Sequence, residues 1–114
     1  MQGGISMEQS INNLKCSICS KWYEFYFFDE HFIIRYKSGF RMKQRTINYK
    51  DIVELSNKLV IYNFVPFHTY KFIINGQKTL EISATTQKQL NYLLPAIKYI
   101  KEMRTSAIMR SENL

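Results

Sequence analysis

From position 22 to position 83 the chain alternates apolar and polar residues with a period of two, and reversal signals interrupt it at short intervals. Side chains along a strand point to opposite faces in turn, so this period builds short antiparallel strands with one buried face. Seven runs fit it: residues 22–28, 32–37, 41–49, 51–55, 58–64, 68–74 and 77–83. Asp29-Glu30, Ser38-Gly39, Val65-Pro66 and Asn75-Gly76 supply breaks between them. Asn75-Gly76 is the strongest hairpin signal and predicts positive φ at both central turn positions.

After Ser83 the period changes. Leu90, Leu93, Leu94, Ile97 and Ile100 recur at three- and four-residue steps, the apolar stripe of an amphipathic helix. Thr86 with Gln89 three residues on forms a capping box at its start. Pro95 removes one backbone bond, which predicts a kink near Asn91. Beyond Arg104 the composition turns small and polar, which predicts a flexible tail over residues 105–114. At the other end Met7, Ile11, Leu14 and Ile18 follow four-three-four spacing, and Ser6 with Gln9 offers a cap, so residues 1–20 read as a segment with a short helix. Leu14, Cys16 and Ile18 also alternate, as a strand would. The fold class is therefore mainly β: a bent seven-stranded antiparallel sheet over residues 21–104, closed by one C-terminal helix that plugs its open end.

At 114 residues the chain makes one domain, and 46% hydrophobic with 22% charged residues excludes wholesale disorder. No apolar window reaches the ~18 residues of a membrane-spanning helix. The N-terminus lacks the basic and apolar stretches of a secretory signal, which predicts a cytoplasmic protein. A formal net charge of +7 points to an anionic partner.

Three sets of residues carry candidate chemistry. Arg35 and Lys37 alternate on one strand and Arg41, Lys43 and Arg45 on the next, so all five are expected on one face as an anionic-surface binding site, with Phe32, Ile34, Tyr36 and Met42 opposite. The competing reading is a solvated strand face that blocks edge pairing. On the terminal helix Tyr92, Tyr99 and Met103 lie opposite the core stripe, bordered by Lys88 and Lys98, and suit a membrane interface or a peptide partner. The competing reading is that these tyrosines cover the N-terminal segment. Cys16 and Cys19 form a lone CxxC with no second pair and no closely spaced histidines, so neither a metal nor a cofactor is expected. With no nucleophile motif, phosphate loop or HExxH pattern the chain does not read as an enzyme. Nucleic acid suits the charge, yet no helix-turn-helix, zinc knuckle or RNA-recognition motif is present.

The run Phe25-Tyr26-Phe27-Phe28-Asp29-Glu30-His31-Phe32-Ile33-Ile34 resembles the first hairpin of bacterial pleckstrin-homology-like domains. The run Thr46-Ile47-Asn48-Tyr49-Lys50-Asp51-Ile52-Val53-Glu54-Leu55 is similar to their segment of isoleucine, any residue, tyrosine, any residue, aspartate and isoleucine before the fourth strand. With Asn75-Gly76 and the closing helix, the resemblance covers residues 21–104. It implies a non-enzymatic binding module, often at membrane faces. Phosphoinositide-binding members carry Lys and Arg in the first loop, where the resemblance places the acidic Asp29-Glu30-His31, so it implies no inositol-phosphate site there. In size, charge and architecture the chain also resembles the small pleckstrin-like immunity proteins of leaderless bacteriocins. That implies self-immunity in a Gram-positive producer, at the inner face of the membrane, with anionic lipid, the bacteriocin peptide or its membrane target as partner. The alternatives are a scaffolding module that binds a protein and, less favoured, a nucleic-acid-binding domain.

Overall fold

A computed structural model describes residues 13–112. Four strands form one antiparallel meander in chain order: β1 (Cys16–Cys19), β2 (Tyr23–Phe27), β3 (His31–Ser38) and β4 (Arg41–Asn48). A one-turn 3-10 helix at Tyr49–Asp51 leads into a second meander of β5 (Ile52–Tyr62), β6 (Val65–Ile74) and β7 (Leu80–Ala84). Helix α1 then runs from Gln87 to Glu112. The mainly-β architecture with a closing helix is the one the periodicity predicts.

The number of strands agrees with the expectation, but two of their boundaries do not. Residues 51–55 and 58–64 are not separate strands. Ser56 and Asn57 pair with Lys71 and Tyr70, so both runs belong to β5. The remaining strand is β1, whose four residues alternate half-buried and exposed, so residues 16–19 are extended and not helical. The helix start expected at Ser6 lies outside the described residues. Asn75-Gly76 also departs from expectation. Gly76 has φ +79°, but Asn75 does not take a positive φ, and the connection from β6 to β7 runs over residues 75–79. The tight turn with positive φ at both central residues is Asn63-Phe64, at +50° and +66°.

Rings fill the space between the two sheets. Phe32 of β3 lies 6.3 Å from Phe25, 6.0 Å from Phe27, 5.8 Å from Tyr49 and 6.4 Å from Phe72, and all five side chains are fully buried. Phe27 in turn meets Tyr99 of α1 at 4.4 Å. The Tyr49 hydroxyl donates to the Phe28 carbonyl at 3.1 Å, so this buried polar tip is satisfied.

Helix α1 begins as its sequence dictates. Thr86 Oγ1 accepts from the Gln89 amide at 3.1 Å, and Gln89 Oε1 accepts from the Thr86 amide at 3.2 Å, a reciprocal capping box. Its buried stripe is Leu93, Ala96, Ile97, Ile100 and Ala107, with Leu90 partly covered. Leu94 is not in the stripe and stays 44% exposed. The helix also continues past Arg104, because Ala107 still packs on the core. Arg104 itself donates to the carbonyls of Ile52 and Val53 at 2.8 and 2.9 Å, which ties the helix to the start of β5. Pro95 sits on the exposed side, where the unpaired Asn91 carbonyl faces solvent.

Ile100→Ala should destabilise the domain by roughly 2–5 kcal/mol, whereas Leu94→Ala should change it by less than ~0.5 kcal/mol. Urea denaturation of both variants checks the assignment of the stripe. His31 stacks on Phe28 at 4.7 Å, and burial holds its pKa below the ordinary 6.5 against the opposing pull of Glu30. The unfolded chain therefore takes up this proton first, and the folded state loses stability as pH falls below 6.5. Thermal unfolding at about pH 7.5 and about pH 5.5 should show a smaller drop for His31→Gln than for the parent chain.

Candidate functional site

The length of one turn decides where the basic hairpin points. Gly39-Phe40 joins β3 to β4 as a two-residue turn, with Gly39 supplying a φ of +66°, so Ser38 pairs with Arg41. Tyr36 then pairs with Lys43, Ile34 with Arg45 and Phe32 with Ile47, while Arg35 faces Gln44 and Lys37 faces Met42. Paired residues share a face. The five cations therefore do not emerge together: Arg41, Lys43 and Arg45 lie on the side of Tyr36 and Ile34, and Arg35 and Lys37 lie on the opposite side with Met42. Alternation within each strand holds, but a two-residue turn couples odd positions of one strand to even positions of the next.

The five also differ in what they touch. Arg35 is engaged with Glu24, 3.3 Å from its Oε1, and Glu24 also accepts the Tyr26 hydroxyl at 2.6 Å. Arg45 reaches across to the connection between β6 and β7, where it donates to Gln77 Oε1 at 3.0 Å and to the Lys78 carbonyl. Gln77 returns a bond to the Thr46 carbonyl at 3.1 Å. Arg45 is thus a tie between the two sheets, on the wall of an open hollow that Tyr36, Lys43 and Lys78 also line. Lys37, Arg41 and Lys43 are exposed, and among the described residues no carboxylate lies within ion-pair distance of them. Between them Phe40 stands fully exposed at the turn. The hairpin end therefore carries three exposed cations on two faces, Arg41 and Lys43 on one and Lys37 on the other, beside one exposed aromatic ring. Phe40 was legible in the sequence: an apolar residue inside a two-residue turn has no sheet face to bury it.

The helix-face set is divided as well. Tyr99 packs on Phe27, and burial followed by the neighbouring Cys16 thiol raises its pKa. Met103 packs on the same core cluster. Tyr92 is 42% exposed and lies 6.5 Å from Trp22 in the loop between β1 and β2. Lys88 and Lys98 point to solvent. The tyrosine face thus covers β1 and the loop after it, and Lys88, Tyr92 and Lys98 are what remains open.

One further expectation changes with the strand count. Because β1 precedes β2, Asp29-Glu30 forms the second turn and not the first. The first loop is Ser20-Lys21-Trp22, with Lys21 Nζ 5.1 Å from the centre of the Trp22 ring. The acidic turn therefore says nothing about phosphate at the first loop, and Asp29 pairs with Lys15 at 3.2 Å. Cys16 and Cys19 face opposite sides of β1, as positions three apart on a strand must, so the CxxC cannot clamp one ion. Among the described residues no three His, Cys, Asp or Glu side chains converge, and no helix is long and apolar enough to cross a membrane.

Arg45→Ala should lower the melting temperature by several degrees, through loss of a hydrogen-bonded charge worth about 1.5–3 kcal/mol. Lys43→Ala should leave it unchanged within about one degree. Differential scanning calorimetry of the two variants separates the structural cation from the free one.

No protein-family model and no curated protein matches the chain. Among solved structures, the crystal structure of a pleckstrin homology domain from Shewanella amazonensis SB2B is similar, with a TM-score of 0.62 at 19% sequence identity. The match covers 92% of this chain and 99% of that one. Two meanders of four and three strands closed by a C-terminal helix are thus a pleckstrin-homology-like fold.

Proposed function

We propose that this chain is a non-enzymatic binding module that docks on an anionic membrane surface through the tip of its β3–β4 hairpin. The observation that carries this reading is that Lys37, on one face of the hairpin end, and Arg41 and Lys43, on the other, are exposed and without acidic partners among the described residues, next to the exposed Phe40 ring of the turn. Near an anionic leaflet each cation contributes about 1 kcal/mol, and the ring suits the headgroup boundary. A net charge of +7 adds long-range attraction to the same surface. A binding role also fits the carboxylates: Asp29 pairs with Lys15 and Asp51 accepts from Asn48.

The narrower form of this reading is self-immunity against a cationic, membrane-active bacteriocin. In it the tip competes for, or shields, the anionic headgroups that the bacteriocin needs. Its support is the small size and strongly basic balance of the chain together with the pleckstrin-like architecture. Expression in a sensitive strain should raise survival against a leaderless bacteriocin, and unchanged killing across several of them ends this form of the proposal.

The membrane claim has a direct test. Replacing Lys37, Arg41 and Lys43 together with Ser should weaken binding to anionic vesicles by roughly 3 kcal/mol at low salt, on the order of a hundredfold. Co-sedimentation measures it, and equal binding by the triple variant removes the hairpin from the interface.

A further inference from the structure

The two strands of the β5–β6 hairpin outrun the sheet they belong to. Strand β7 pairs with β6 only from His68 to Phe72, so Val65–Phe67 and the opposing Val60–Tyr62 run on as a two-stranded ribbon, its base touching the start of α1, where Phe67 is half-buried and Pro66 lines a hollow with Thr85, Thr86 and Gln87. Three residues of strand carry it about 10 Å beyond its last supported row. Beyond that base the ribbon is apolar and uncovered: Ile61 is 69% exposed, Tyr62 66% and Phe64 99%, with Leu59, Val60 and Val65 also exposed. Phe64 sits in the left-handed region at φ +66°, where a residue with a Cβ is strained. Its ring offsets none of that strain through contacts in the fold.

We infer that this ribbon tip is a second membrane contact, which enters the interfacial layer of an anionic bilayer with Ile61, Tyr62 and Phe64. The inference rests on the membrane reading proposed above but uses different residues. Shape selects the partner. Ile61 pairs with Pro66 on the core-facing side, Tyr62 pairs with Val65 on the outer side, and Phe64 caps the end. Apolar groups thus point in all directions from a protruding tip. A rigid protein surface covers one side of such a ribbon, whereas a fluid bilayer surrounds it. Its reach matches the roughly 5–10 Å to which amphipathic elements enter the headgroup and acyl boundary. Charge agrees: the first charged residue behind the tip on this hairpin is Lys58, whereas Lys71 lies farther back and opposite Glu81 of β7. Tyr62 combines an apolar ring with a hydroxyl that stays wet, the chemistry of a lipid interface.

The experiment places a reporter at the tip. In the full chain Phe64→Trp is combined with Trp22→Phe, so that the new indole is the sole one, and its emission is followed on phosphatidylglycerol vesicles with and without bromine on the acyl chains. The expected result is a blue shift on vesicles and quenching by the brominated lipid. Ile61→Ser with Phe64→Ser should weaken vesicle binding at least tenfold while circular dichroism and thermal unfolding stay unchanged, since both residues lie outside the core. Vesicle-bound protein with an unquenched indole overturns the inference and leaves the β3–β4 docking reading standing. Quenching that persists in the Lys37, Arg41 and Lys43 triple variant with undiminished binding does the reverse. Emission already blue without lipid means that a second copy covers the tip, and a chain that binds no vesicle overturns both proposals.

Discussion

Phe32 sits where every layer of the molecule meets. Its ring contacts Phe25 and Phe27 in its own sheet, Tyr49 in the turn between sheets and Phe72 in the second sheet, and Phe27 passes the contact on to Tyr99 of the helix. Each aromatic pair adds about 0.5–1.5 kcal/mol beyond simple burial, and edge and tilt preferences fix how the rings sit. The two meanders share no strand pairing. Their mutual placement therefore depends on this cluster, on Arg45 bridging to Gln77 and Lys78, on the Tyr23 hydroxyl at Ser83, and on Arg104 holding the start of β5.

A core centred on one ring has a limited radius, and the hairpins exceed it. Strand β3 is buried from Phe32 to Ile34 and open by Lys37, and β5 is exposed along most of its length. What lies beyond the radius is free to serve a partner. At the β3–β4 tip that surplus is cationic with one ring, and at the β5–β6 tip it is apolar. Both tips are thus by-products of strands longer than the core they leave. Their compositions differ in the way that headgroups and acyl chains differ.

Much of this was legible from local signals. The Thr86–Gln89 box closed as its spacing requires, because capping involves only neighbouring residues. Of the apolar face expected opposite the cations, Phe32 and Ile34 are in the core as alternation predicts, whereas Tyr36 is half-buried and Met42 is exposed. The shared face for five cations failed on an arithmetic point that was also in the sequence: any two-residue turn sets odd positions beside even ones, and the turn at Gly39-Phe40 sets Arg35 beside Gln44 and not beside an odd-numbered cation. Strand β1 was harder to read, since the alternation of Leu14, Cys16 and Ile18 competes with a helical spacing of similar quality. Only pairing with β2 decides between them.

Local chain chemistry is enough for the period of each segment, the place of the helix start, the excess of positive charge and the aromatic supply for a core. These are properties of neighbours in the chain, and short-range sterics and hydrogen bonding settle them. Tertiary structure decided which cations are committed and which are free, that Tyr99 and Met103 are packed while Leu94 is not, and that residues 60–65 stand clear of the third strand. Those outcomes depend on what arrives from distant parts of the chain. Arg45 meets Gln77 and Tyr23 meets Ser83 only because the two sheets face each other.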